Sequence, residues 1–178
     1  MASAFAHALA AVAIGSFSSR KIFTWKFILL LALCGVFPDI DVLAFKFGIP
    51  YESVWGHRGF THSIFFAALF GLLIFFIFYK KEKFPFLINC LLVLAFFLAT
   101  LSHTLLDACT TGGLGVAFFA PFHNERYFFP WQVIRVSPIG IKQFISSRGL
   151  AVLWSELKWV GIPSVFLLIV SYFFRRKN

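Results

Sequence analysis

Histidine and aspartate carry the chemistry in this chain, and they sit where charge is costly. All three aspartates fall in two short motifs, Pro38-Asp39-Ile40-Asp41 and His103-Thr104-Leu105-Leu106-Asp107, each ending a strongly apolar segment. Between them, His57-Arg58-Gly59-Phe60-Thr61-His62-Ser63 opens a third apolar run. A carboxylate near a bilayer core costs roughly 2.5–3.5 kcal/mol on insertion scales, so three of them beside three histidines point to a function, and to a metal site. Neutral imidazole with carboxylate suits zinc, manganese or iron better than calcium, whose sites are built from oxygen.

The spacing assigns roles. His103 and Asp107 are four residues apart, so on a helix they project from one face about one turn apart. They can meet one metal, or the carboxylate can orient a ligating imidazole. Asp39 and Asp41, one residue apart beside a proline, can bridge two cations or divide into a ligand and a catalytic base. His57 and His62 fit as one loop ligand and one first-turn ligand around Gly59. His7, on a helix of small residues, faces the bundle interior and is a further candidate ligand. Arg58 brings forked donors that match phosphate or carboxylate oxygens, for clamping substrate or for pairing with an aspartate. The expected metal set is therefore His7, Asp39, Asp41, His57, His62, His103 and Asp107, with Arg58 and Asp41 in catalytic roles. The cofactor is one or two divalent ions, zinc or manganese. Two such ions about 3.5–4 Å apart would suit displacement at phosphorus.

These residues must be positioned by apolar helices. The chain has 178 residues, 60% hydrophobic and only 13% charged, with a mean hydropathy of +0.88. A soluble domain carries roughly 25% charged residues, so the composition indicates one all-α integral membrane domain over residues 1–178. A helix rich in alanine is expected from Ser3 to Phe17, and a second span from Phe27 to Phe37, broken by Pro38. A third should run from Thr61, as a helix cap, to Tyr79, a fourth from Phe84 to Leu106, and a last from Leu157 to Phe174; Thr61, Ser63, Thr110 and Thr111 suit capping and, equally, hydrogen bonding behind the site. The bundle thus has about four to five spans. The more polar stretch 108–156 is too long to be structureless and should form amphipathic or re-entrant pieces over the site. Cys34, Cys90 and Cys109 form no CxxC pair and read as small packing residues. The N-terminus lacks the positive region of a secretory signal and reads as retained structure.

Charge fixes the topology. Arg20–Lys26, Lys80–Lys83 and Arg175–Lys177 fall in alternating connections, so the positive-inside rule puts all three in the cytoplasm. The three motifs then converge on the extracytoplasmic face of the membrane. The net charge of +9 is concentrated beside apolar runs without a recognition motif, which argues against nucleic acid. Trp25, Trp131, Trp154 and Trp159 read as interfacial anchors, Glu52 and Glu156 as solvated, and His123, Glu125 and Arg126 as loop surface.

Pro-Asp-x-Asp, His-Arg-Gly-x-Thr-His-Ser and His-x-x-x-Asp, in that order and after an upstream histidine, resemble the YdjM-like family, described as membrane-bound metal-dependent hydrolases. The matching residues are His7, Asp39, Asp41, His57, Arg58, Thr61, His62, Ser63, His103 and Asp107, within residues 1–115. The histidine–aspartate helix and early histidine are also similar to helical zinc-dependent phospholipases C. The resemblance implies a metal-dependent hydrolase. Placement at the membrane boundary suggests a lipid or lipid-linked phosphoester, and the composition of the long loop fits a lid. A metal or proton transporter, or a non-catalytic protein with a structural metal, would use the same ligands. Transporter sites, however, tend to lie near the midplane between repeated halves, and the sequence has no repeat.

Overall fold

The computed structural model describes residues 1–138 and 141–177. Residues 139–140, within the expected loop region, lie outside the described residues. The order is α1 (Ala4–Gly15), α2 (Trp25–Val36) running into a 3₁₀ segment (Phe37–Phe47), a 3₁₀ turn (Phe60–His62), α3 (Ile64–Phe78), α4 (Phe86–Ala108), the short α5 (Ile141–Phe144), α6 (Ser147–Glu156), a π-helical turn (Leu157–Gly161) and α7 (Ile162–Lys177). Among the described residues there are no strands. Two isolated bridges, Thr110–Ile134 and Val116–Tyr127, pin the loop after α4.

Local sequence explains most boundaries. Ser3 and Thr24 cap α1 and α2, accepting from the amides of Ala6 and Phe27. Pro38 stands in the first turn of the 3₁₀ segment, where a missing amide hydrogen does least harm, and left-handed Gly48 closes it. The cap of α3 is Ser63, not Thr61 as expected: the Ser63 side chain accepts from the Phe66 amide, while the Thr61 hydroxyl is used elsewhere. The last helix is longer than expected, because α6 continues through the π turn into α7.

Three helices are long and apolar enough to cross a membrane: Trp25–Phe47, Phe86–Ala108 and Ser147–Arg176. Ala4–Gly15 and Ile64–Phe78 are shorter apolar helices. Phe65, Leu69, Leu72 and Phe76 of α3 are exposed, as expected for an apolar surface in a lipid solvent. Inside, Phe27, Leu31, Cys34, Leu92 and Phe96 form the core between α2 and α4.

The bundle has two chemically different ends. At one, the Lys26 ammonium donates to the Phe78 carbonyl (2.8 Å) and approaches Glu82 (3.8 Å), while the Arg175 guanidinium lies 4.0 Å from the centre of the Phe23 ring. The three basic connections therefore share an end. The start of α1, the 3₁₀ segment, the start of α3 and the end of α4 lie at the other, where the histidines and aspartates collect.

α1 and α2 approach closely at Gly35, where a Cβ would lie 2.6 Å from both the Ala11 Cβ and the His7 carbonyl oxygen. Since that backbone cannot yield cheaply, Gly35→Ala should cost about 1–3 kcal/mol by overpacking. Thermal unfolding in detergent should show a lower midpoint; an unchanged midpoint would argue against this contact.

Candidate metal centre

Four segments bring the polar residues together. The 3₁₀ segment turns Asp39 and Asp41 into the bundle end, the loop before α3 supplies His57, Arg58 and His62, α4 supplies His103 and Asp107, and α1 supplies His7. Asp41, His57, Arg58, His62, His103, Asp107 and His7 are all buried. Two groups have donor atoms within 4.8 Å of one another: Asp39, His62, His103 and Asp107 in the first, and Asp41, His57 and His62 in the second.

The first group has the character of an ion site. His103 Nδ1 lies 2.7 Å from the Gly35 carbonyl oxygen, which can only accept, so Nδ1 carries the proton and Nε2 is left with its lone pair inward. That Nε2 lies 2.9 Å from His62 Nε2 and 3.5 Å from Asp39 Oδ1. His62 Nε2 is also 3.7 Å from Asp39 Oδ1 and 3.6 Å from Asp107 Oδ2. Both Asp39 oxygens are buried without a hydrogen-bond partner among the described residues. A carboxylate without a hydrogen-bond donor in such a place is costly, and a divalent cation held by Asp39, His62, His103 and Asp107 would satisfy it. The donor set and its geometry fit a metal.

The second group is saturated by the protein. Asp41 Oδ1 accepts from His57 Nδ1 at 2.7 Å; Oδ2 accepts from the Thr61 hydroxyl at 2.6 Å and the Arg58 amide at 3.1 Å, with His62 Nδ1 at 3.0 Å. Asp41 thus orients His57 and His62, and by engaging His62 Nδ1 it turns His62 Nε2 toward the first group. Burial opposes a charge on His62, yet Asp41, Asp107 and Asp39 hold its pKa well above the ordinary histidine value. For His57 burial outweighs the Asp41 contact, and its pKa is lowered.

Arg58 is fully buried, with a left-handed backbone (φ 62°) rare for a residue bearing a Cβ. Its amide is held by Asp41, and its carbonyl accepts from the Ala117 amide at 3.0 Å. Nε donates to Asp107 Oδ2 at 3.0 Å, Nη1 to the Gly112 carbonyl at 2.8 Å and Nη2 to the Thr110 hydroxyl at 2.8 Å. The expected phosphate clamp therefore meets a guanidinium already engaged by the protein, and its pairing with an aspartate is what the geometry displays. His7 lies outside both donor groups: it stacks on His103 (ring centroids 3.7 Å apart), with Nε2 3.3 Å from Asp107 Oδ1.

Several supporting residues were not singled out for these roles by sequence. Glu156, expected in solvent, is buried and accepts from the Ser3 amide and hydroxyl, tying α6 to the start of α1 beside the site. Arg126, expected at the loop surface, donates to the carbonyls of His57, Tyr51 and Ser53 and braces the loop carrying His57. Thr110, read equally as a cap or as a group behind the site, accepts from Arg58, whereas Gly112 had only the generic signal of glycines after a helix end. The Gly35 carbonyl had none, because backbone acceptors leave no trace in side-chain patterns.

The chain matches, over residues 1–178, the family model described as YdjM inner membrane protein, and it belongs to that family. It is 40% identical over 176 residues to the inner membrane protein YbcI of Escherichia coli (strain K12), covering 99% of this chain and all of that protein. No solved structure matches.

Asp39→Asn keeps the shape but removes the carboxylate charge, and elemental analysis of the purified protein should then find bound divalent metal largely lost. Asp41→Asn should weaken affinity less, by roughly 10–100-fold, as expected of an orienting partner. Metal content equal to wild type in Asp39→Asn would refute the site. Because His62 holds a proton up to an elevated pKa and metal binding must displace it, affinity should rise from mildly acidic to mildly alkaline buffer. Binding isotherms across that range should show proton release on loading.

Proposed function

We propose that this member of the YdjM inner membrane protein family is a membrane-bound metal-dependent hydrolase that cleaves a phosphoester of a lipid or lipid-linked substrate. The Asp39 carboxylate carries the reading: its oxygens are buried, accept no hydrogen bond among the described residues, and face two imidazoles and a second carboxylate. Asp39, His62, His103 and Asp107 would hold a divalent cation, zinc or manganese. When bound, that ion supplies Lewis acidity toward an oxygen of substrate or water. Asp41, His57 and His62 offer a second donor set, but it shares His62 with the first and Asp41 is already saturated, which favours a single ion.

The remaining chemistry belongs to the side chains. Asp41 accepts from His57 Nδ1, leaving His57 Nε2 to take up a proton, and the lowered pKa of His57 keeps the ring neutral and receptive. Asp41 is thus a positioning residue, with the base role passed to His57. Arg58 holds Asp107 in the orientation from which its carboxylate reaches toward His62. His7 and the Ala2 amide, which donates to Asp107 Oδ1 at 2.7 Å, restrain the same carboxylate from the opposite side. With the basic connections in the cytoplasm, this centre lies at the extracytoplasmic boundary, at the depth of lipid headgroup esters.

The test is metal-dependent release of phosphate or headgroup from a lipid panel by purified protein supplied with zinc or manganese. Activity should vanish in Asp39→Asn. In His57→Asn it should fall by roughly 10²–10⁴ in kcat with metal content retained. Metal-driven flux into proteoliposomes without hydrolysis would replace this reading with transport, and bound metal with neither activity would leave a structural ion.

A further inference from the structure

The opposite end of the bundle holds a second concentration of charge that the metal chemistry does not use. Arg20, from the connection after α1, and Tyr172, Arg175 and Arg176, from the end of α7, line one cavity of about 360 Å³. Three guanidiniums from segments about 150 residues apart in sequence thus share one space. Arg175 is anchored, donating to the Ser16 carbonyl and stacking over Phe23, whereas Arg20 and Arg176 are exposed.

Among the described residues, no side-chain carboxylate lines that cavity. Of the seven acidic side chains, Asp39, Asp41 and Asp107 belong to the metal cluster, and Glu156 caps α1. Glu52 and Glu125 lie in loops on the metal side, joined through the Asn124 contact to the Glu52 carbonyl, and Glu82 approaches Lys26. Like charges gathered without a counter-charge repel, and planar guanidiniums are matched best by phosphate oxygens. Directly beside the arginines, Phe17, Phe173 and Phe174 present exposed rings, with Phe17 and Phe174 6.5 Å apart between centroids. A free phosphate has no use for that apolar border, whereas a lipid has chains to lay on it.

We propose that Arg20, Arg175, Arg176 and Tyr172 form a binding site for the phosphate of an anionic membrane lipid, with the acyl chains passing over Phe17, Phe173 and Phe174. The bound lipid bridges the connection after α1 to the end of α7, neutralising the arginines and fixing the last helix against the bundle. Basic pockets between helices on the cytoplasmic side are suited to such headgroups. The site is independent of the metal centre and of the reaction performed there.

Native mass spectrometry of the full-length protein in detergent, titrated with phosphatidylglycerol or phosphatidylcholine, tests this directly. The wild type should retain phosphatidylglycerol in preference. Arg20→Gln with Arg176→Gln, which spares the anchored Arg175, should lower that retention roughly tenfold or more. Lys80→Gln with Lys81→Gln removes the same charge from the same end but outside the cavity, and should retain the preference. Equal loss in both pairs, or no loss in the arginine pair, would overturn the site in favour of diffuse charge. Displacement of phosphatidylglycerol by matched inorganic phosphate would overturn the lipid as its ligand.

Discussion

Asp107 is a carboxylate with no access to water, and the arrangement of this end of the bundle follows from what it takes to keep it there. A charge at zero exposure is tolerable only when several donors converge on it. Arg58 Nε and the Ala2 amide supply direct hydrogen bonds, and His7 and His62 approach from the remaining sides. Those groups come from the N-terminal segment, α1 and the two ends of the loop preceding α3. The single carboxylate therefore joins side chains from three separate stretches of the sequence at one point. Removing one partner from a buried pair of this kind typically costs about 3–5 kcal/mol, because the other is left charged and alone.

The same requirement explains the left-handed backbone of Arg58. Its side chain must reach Asp107, Thr110 and Gly112 while its amide reaches back to Asp41. Asp41 and Asp107 are thereby fixed from a single residue, and the two carboxylates frame His62 between them. Asp39 remains outside this network. One aspartate of the Pro-Asp-x-Asp motif is committed to holding imidazoles, and the other accepts no hydrogen bond among the described residues and joins His62, His103 and Asp107 in a donor set that fits a cation.

Much of this was legible in the residues. Apolar run lengths gave the first four helices to within a few residues, and Pro38 marked the break after α2. The shared end of the motifs follows from alternating basic connections, and the i, i+4 relation of His103 and Asp107 from helix geometry alone. The misreadings have a common physical cause. Thr61 looks like a cap, Glu156 like a solvated charge and Arg126 like loop surface, because each judgement weighs a residue against its sequence neighbours. Their actual partners, Asp41, Ser3 and the carbonyls of the His57 loop, are 20, 153 and about 70 residues away.

By itself the sequence determined which residues could do chemistry and at which end of the bundle they gather, because residue type and helical period are local properties. Only the tertiary structure decided how those residues divide the work. Whether Asp39 or Asp41 is satisfied, which nitrogen of His103 faces inward and what Arg58 holds all depend on distances between separate segments. Those distances are set by the close approach of α1 to α2 at Gly35 and by the packing of α4 against both. The two aspartates of the motif become chemically different only when that packing gives Asp41 hydrogen-bond donors and Asp39 none among the described residues.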